Sequence, residues 1–371
     1  MKPHRLLDPL LGLERRLIRR PGPAAGVLLI SAGGLGDTVL FALAVERFAA
    51  LARPGETVTV LLRKDAAKMA FLFPPEIRVE AVDFAELRRI GPRRRLLLRL
   101  YRAQYRLVVS TDFVRHPDLD EALAAACAAP DSAALLARPW PKHQRRLDRA
   151  AKRWHRLIDP GPVLRDKLLR LADLACALTG AELPPPKVAL PPERLPAPVP
   201  LPAPTLFVQP FSAVKAKQSP PGLYRRLHAL LPPGWAMRIA GHPSDLDRNP
   251  EFRPLLDLPG VTFEPAPFAE LAGKLRSARL VVSVDTACFH LAAALGAPTL
   301  CLASAAYVGE IVPYDPLVAP PSVQVLWQPM ACQGCLGDCR RPLVDSMYPC
   351  VAALDPDLVV ETVARLLGNP P

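Results

Sequence analysis

The sequence predicts an α/β protein made of two doubly wound domains of parallel strands and helices. Three observations lead there. Short apolar runs, of the kind that fill strands covered on both faces, alternate with helical periodicity in both halves of the chain. A stretch with ten prolines in 21 residues, 184–204, separates the halves and reads as an extended spacer. The chain has 371 residues, 50% hydrophobic and 22% charged, which suits two sizeable cores and excludes disorder.

The elements follow in order. Residues 1–23 read as a basic amphipathic lead-in. Asp8, Glu14 and several arginines interrupt any signal-peptide core there. No apolar run reaches the ~18–20 residues of a membrane span. The expected location is therefore cytoplasmic. The first domain, 24–183, opens with a strand at 26–31, a glycine-rich turn at 32–37 and a helix at 38–51. Further strands are expected at 57–63, 77–84 and 106–112. Residues 138–170 are basic and read as helix and loop. The second domain, 205–354, has strand-like runs at 205–209, 236–241, 279–285, 298–303 and 322–327. Helical patterns fall at 221–231, 267–277 and 286–296. A closing helix lies in 355–371, with Asp355 as cap, Pro356 in its first turn and Gly368 as its stop. The two halves look like the same kind of sheet, yet no internal sequence repeat is evident.

The net charge of +12 is uneven. Residues 1–200 hold 34 Lys/Arg against 21 Asp/Glu, and residues 201–371 hold 13 against 14. The excess points the first half toward an anionic partner. Arg95, Arg99, Arg102 and Arg106 follow i, i+4, i+7, i+11, so one helical face over 93–106 would carry all four. That face suits an anionic acceptor or membrane surface; a plain solvated face is the alternative. A nucleic-acid partner is not expected, because the basic residues lack interleaved aromatics and no recognised module is present.

Three segments carry candidate chemistry. The turn Gly33-Gly34-Leu35-Gly36-Asp37 lies between a strand and a helix. Its glycines let backbone approach a ligand, and a helix N-terminus favours an anion. It is not a full dinucleotide fingerprint, since Val39 stands where a third glycine belongs. Asp37 could act as a general base or cap the helix. The second segment runs from Gln209 to Pro220, where Ser212, Lys215 and Lys217 make a phosphate grip or a solvated loop. In the third, a strand ends at Asp285 and a small-residue helix follows Thr286, offering free N–H groups to a diphosphate. Asp285 fits a sugar hydroxyl or a cap. His290 lies one and a half turns in.

Of eight cysteines, Cys332, Cys335, Cys339 and Cys350 fall within 19 residues. Four thiolates could complete a tetrahedral structural zinc site. A disulfide, or reduced thiols packed as small hydrophobes, are the alternatives.

Together the three segments resemble the heptosyltransferases of glycosyltransferase family 9. Leu35-Gly36-Asp37 matches the turn after the family's first strand. Pro210, Lys217 and Pro220 keep the spacing of its second-domain loop. Asp285 through Ala294 match Asp-Thr-x-x-x-His-Leu-Ala-Ala-Ala, the most specific of the three. Cysteines followed by a helix also look like a feature of many members. The resemblance runs over roughly 26–368. Phe211 and Ser219 depart from it, standing where the family has Gly and Trp in the donor-phosphate loop.

The resemblance implies a GT-B fold, two facing Rossmann-like domains with a C-terminal helix returning to the first. It implies inverting, metal-independent transfer of a heptose or related sugar from a nucleotide-diphosphate donor to lipopolysaccharide core or a similar cell-surface glycan. No cofactor would be required. The acceptor would be anionic and lipid-linked, at the inner-membrane surface. Carried onto this chain, Asp37 is the base in its turn of Gly33, Gly34 and Gly36. Lys217 and Ser212 stabilise the leaving diphosphate. Thr286 holds the same phosphates, with Asp285 on the donor sugar and His290 nearby. Two other readings compete: the same fold with another donor and acceptor, in capsule, O-antigen or glycoprotein assembly, and a non-catalytic protein that binds a membrane or partner.

Overall fold

The structure is a computed structural model describing residues 4–20 and 22–368. The chain divides into two units, Met1–Val163 with Leu168–Pro185, and Leu164–Lys167 with Pro186–Pro371.

The first unit contains α1 (His4–Leu17), β1 (Val27–Ser31), α2 (Leu35–Ala49), β2 (Val58–Arg63), β3 (Arg78–Val82), α3 (Ile90–Arg102), β4 (Leu107–Ser110), α4 (Asp120–Cys127), β5 (Asp131–Leu135), α5 (Gln144–Ala151), β6 (Arg156–Ile158) and α6 (Lys167–Thr179). Its sheet is parallel, in the order β3-β2-β1-β4-β5-β6. The apolar run at 26–31 becomes the central strand, every residue of which is buried. Helices close both faces, as parallel strands require. Two strands of this unit had no counterpart in the sequence reading. β5 is a short mixed run, Asp-Ser-Ala-Ala-Leu, and β6 is a three-residue edge strand inside the basic stretch.

The second unit contains β7 (Thr205–Gln209), α7 (Pro221–Ala229), β8 (Ala236–Ala240), α8 (Asp245–Arg248), β9 (Val261–Glu264), α9 (Phe268–Arg276), β10 (Leu280–Val284), α10 (Ala287–Ala294), β11 (Thr299–Leu302), β12 (Val323–Leu326), α11 (Pro349–Ala352) and α12 (Pro356–Leu366). Its parallel order, β12-β11-β10-β7-β8-β9, has the same connectivity as the first sheet. Each sheet is wound outward from its middle in both directions. The winding reverses between β1 and β4 in one unit and between β7 and β10 in the other. Open α/β sheets bind ligands at the carboxyl ends of the strands beside such a reversal.

Much of the proline-rich stretch read as a spacer is strapped to the second unit. Val188 and Leu190 are buried, and their N–H groups donate to Val318 and Ala294. Val199 N–H donates to Gly273, where an added Cβ would lie 2.7 Å from the Ala197 carbonyl. The non-proline residues thus supply the anchoring that proline, lacking an N–H, cannot. The closing helix α12 has its cap as expected, with Asp355 accepting from Asp357 N–H. Its apolar face, Val359 and Val363, is buried in the second unit's own core with Leu223 and Leu227 of α7. Among its described contacts it packs within that unit.

Candidate active site

At the first unit's reversal point, β1 runs into the glycine turn and α2. Asp37 sits in the first turn of α2, where a carboxylate is favoured by the helix dipole. Its Oδ2 accepts from Gly34 N–H at 2.7 Å. Gly33 has no room for a side chain: an added Cβ would come within 2.5 Å of Asp37 Cβ. Gly33 therefore makes space for Asp37 itself, a local reason for glycine that requires no ligand. The capping and base readings are compatible, because one carboxylate can be oriented by an N–H and still take a proton.

Across the reversal, β4 delivers Asp112. Its Oδ2 accepts from Ala32 N–H at 2.5 Å and ties the second strand end to the glycine turn. Beyond it lies a buried polar network. Arg115 Nε donates to Glu121 (2.6 Å), Trp154 Nε1 donates to Glu121 (2.8 Å), and His116 N–H donates to Asp120 Oδ2 (2.6 Å). Burial, together with the Asp112 charge, pushes the Asp120 carboxyl up to about 7.

The second unit repeats the arrangement with different chemistry. Lys217 lies in the tight turn Lys215–Lys217 after β7. Its Nζ is 2.5 Å from Asp285 Oδ1, donates to the Asp285 carbonyl at 2.8 Å, and stands 4.9 Å from the centre of the Tyr307 ring. Asp285 follows β10 and is buried; its Oδ2 accepts from Ser304, which follows β11. Burial pushes its carboxyl above the ordinary range, and the Lys217 ammonium opposes that. Thr286 is the N-cap residue of α10; its hydroxyl donates to Gln209 Oε1 (2.7 Å), and its oxygen accepts no capping bond from the first-turn N–H groups. Ser283 donates to the same oxygen at 3.1 Å. Lys217, Asp285, Thr286 and Gln209 thus meet at one crevice. Ser212 is occupied locally, accepting from Val214 N–H. His290 is buried deeper, with Nδ1 2.7 Å from the Tyr314 hydroxyl.

Sequence reading missed Asp112, Gln209, Ser304 and Tyr314 as site residues. For Asp112 a signal existed. Arg106–Asp112 reads RLVVSTD and Arg279–Asp285 reads RLVVSVD, six identities in seven, and each segment forms the strand on the far side of its reversal point. The expectation of no internal repeat is corrected accordingly.

The two loop departures are taken up by the core. The Phe211 ring is buried, edge-on to Phe252 at 5.1 Å. Gly241 makes room for it, since a Cβ there would meet the ring at 2.8 Å. Ser219 is buried beside the Tyr224 hydroxyl. Neither side chain is exposed to a ligand.

The four-arginine face is also corrected. α3 ends at Arg102, Gln104 takes a positive φ of 52°, and Arg106 leaves the helix. Arg106 pairs bidentately with Glu56 (2.7 and 2.6 Å), and its hydrogen bond holds the Glu56 carboxyl down at about 2. Arg99 pairs with Glu80, while Arg95 and Arg102 are exposed. Cys332, Cys335, Cys339 and Cys350 line one small pocket with Met330 and Tyr348, and all four are free thiols. Among the described residues no group of three or more His, Cys, Asp or Glu is placed to hold a metal, so the zinc expectation finds no support.

Residues 164–336 match the family model of glycosyltransferase family 9 (heptosyltransferase). The match covers just under half of the chain, most of it in the second unit, and marks the chain as a glycosyltransferase. No curated protein matches its sequence. Solved structures share its fold at low identity, among them the following three. E. coli heptosyltransferase WaaC with ADP superposes at TM-score 0.66 and 18% identity, covering 92% of this chain and 99% of that one. The same enzyme with ADP-2-deoxy-2-fluoro heptose gives 0.62 and 18%, covering 84% and 96%. E. coli ADP-heptose lps heptosyltransferase II gives 0.63 and 16%, covering 92% and 98%. The two six-stranded parallel units are therefore the GT-B fold of those enzymes.

Proposed function

We propose that this glycosyltransferase moves a heptose or related sugar from a nucleotide-diphosphate donor, ADP-heptose first among them, to an anionic, lipid-linked glycan of the lipopolysaccharide-core type. Transfer inverts the anomeric centre and needs no metal ion. The enzyme works in the cytoplasm at the inner-membrane surface.

The observation that carries this reading is the Lys217–Asp285–Thr286 crevice at the second reversal point. It sets an ammonium beside the N-terminus of α10, where a diphosphate gains both the charge and the helix N–H groups. The ADP and ADP-sugar complexes of structures with this fold support a nucleotide-diphosphate donor.

In the reaction, Asp37 accepts the proton of the acceptor hydroxyl. The acceptor oxygen attacks the anomeric carbon from the face opposite the diphosphate. The bond from that carbon to the β-phosphate oxygen breaks, and the departing charge falls on Lys217, Thr286 and the α10 N–H groups. Asp285 holds Lys217 in place and accepts from a donor-sugar hydroxyl, with Ser212 and His290 flanking. The Gly34 N–H on Asp37 Oδ2 orients the base.

The test is calorimetry with ADP-heptose, GDP- and UDP-sugars and free ADP, using the intact chain and Lys217→Ala. The reading expects ADP-heptose to bind and Lys217→Ala to weaken it at least about tenfold. Preference for another nucleotide sugar would keep the mechanism and change the donor. No binding of any nucleotide would overturn the reading.

A further inference from the structure

Helix α1 is amphipathic in the reverse of the usual sense. Among the described residues its inward side carries Asp8 and Arg15. Asp8 accepts two hydrogen bonds from the buried Arg93 (2.7 and 2.6 Å), and Arg15 donates to the Leu11 and Ala126 carbonyls. Leu11 adds an apolar anchor there, 2% exposed. The outward side carries Leu10, Leu13 and Leu17, which are 61%, 57% and 88% exposed. Residues 8, 11 and 15 and residues 10, 13 and 17 each follow the spacing of one helical face, and the two faces are roughly opposite. The helix is fastened by ion pairs and presents its leucines to the outside.

The rim of this stripe is cationic. α3 packs beside α1, with Arg94 joined to Glu14. Arg95 and Arg102 are exposed on the same helix, and Ile90 adds a further exposed apolar side chain at its start. Glu14 answers only one of these arginines directly. A shallow apolar stripe with a basic border is the chemistry of an element lying in a lipid headgroup layer. A second copy docked face to face would bring two basic rims together, which like-charge repulsion disfavours.

We propose that the Leu10–Leu13–Leu17 face of α1 inserts into the headgroup region of an anionic bilayer, with Arg94, Arg95 and Arg102 contacting the lipid phosphates. This deepens the membrane-surface reading above by naming the inserting element. Donor calorimetry on the same preparations scores the transferase reading separately.

The test uses the intact chain and the triple variant Leu10→Gln/Leu13→Gln/Leu17→Gln. Sedimentation with phosphatidylglycerol/phosphatidylethanolamine vesicles is compared with pure phosphatidylcholine vesicles. Binding to the anionic vesicles is expected, falling about fivefold for each arginine contact that salt screens. The triple variant is expected to lose at least about tenfold in partitioning while its melting temperature and donor binding hold. A second variant, Leu17→Trp, reads insertion directly, and brominated acyl chains should quench its added fluorescence. Undiminished binding by the triple variant, absence of quenching, or no preference for anionic vesicles would each overturn the proposal. So would a parent dimer that the triple variant converts to monomer without any effect of vesicles.

Discussion

Asp120→Asn should stabilise the protein, and by an amount that grows with pH. Asp120 is buried at the start of α4, and its carboxyl is raised from 3.8 to about 7. Burial is the main cause and Asp112 the second, with Arg115 and the His116 N–H opposing them. Among the described residues its Oδ1 has no hydrogen-bond partner, so ionisation leaves a buried charge only partly compensated. The unfolded chain releases this proton near pH 4, whereas the folded chain keeps it until near pH 7. Between those values the folded state binds more protons, and stability falls as pH rises. The gap of about three pH units corresponds to about 4 kcal/mol once the site is ionised in both states, at 1.36 kcal/mol per unit. Asparagine keeps the shape and the Oδ acceptor for His116 N–H without the ionisation. The advantage of the variant should widen by roughly 2–3 kcal/mol between pH 5 and pH 8. For a unit of this size that is roughly 5–10 °C in melting temperature. Circular-dichroism melts of parent and variant at pH 5, 6, 7 and 8 measure it. If the two melting temperatures run parallel across that range, Asp120 is not a protonated interior acid and the reasoning fails.

Four further outcomes follow from the same structure. Asp37→Asn should lower kcat by roughly 10²–10⁴ with donor affinity unchanged, and Gly33→Ala should lower it too, by pushing the first turn of α2 away from its place; a sugar-transfer assay beside calorimetry separates these. Lys217→Ala leaves Asp285 buried without its cation and should destabilise by roughly 3–5 kcal/mol, more at pH 8 than at pH 5, because the neutral acid tolerates burial. Adding Asp285→Asn should restore the melting temperature but not the activity. Gly241→Ala places a methyl against the Phe211 ring and should cost roughly 1–3 kcal/mol in denaturant unfolding, relieved by Phe211→Leu. Dialysis against a strong chelator should leave transfer activity intact, and a loss restored by added metal would refute the metal-independent mechanism.

The local pattern was enough to place most of the frame. Apolar runs such as Val27–Ser31 and Leu280–Val284 are legible because a strand buried on both faces excludes polar residues whatever surrounds it. The Leu35-Gly36-Asp37 turn and the Asp285–Ala294 segment are legible because each needs particular residues in one contiguous stretch. β5, β6 and β9 were not legible, since such short strands of three to five residues carry no clear period of their own.

What the sequence by itself determined is therefore contiguous: two α/β halves, their main strands, and the residues that begin their ligand-facing helices. The tertiary structure decided what depends on strand order. Only the reversal between β1 and β4 brings Asp112 to Ala32, 80 residues away, and only that between β7 and β10 brings Lys217 and Gln209 to Asp285 and Thr286. It also decided which side of a helix faces inward. Charge periodicity put Arg106 on a helical face, but the chain leaves the helix at Gln104 and Arg106 pairs with Glu56. Periodicity would likewise send the leucines of α1 inward, yet the Asp8–Arg93 ion pair holds the opposite face down. A helical period says that a face exists; which face is buried depends on the partner it meets.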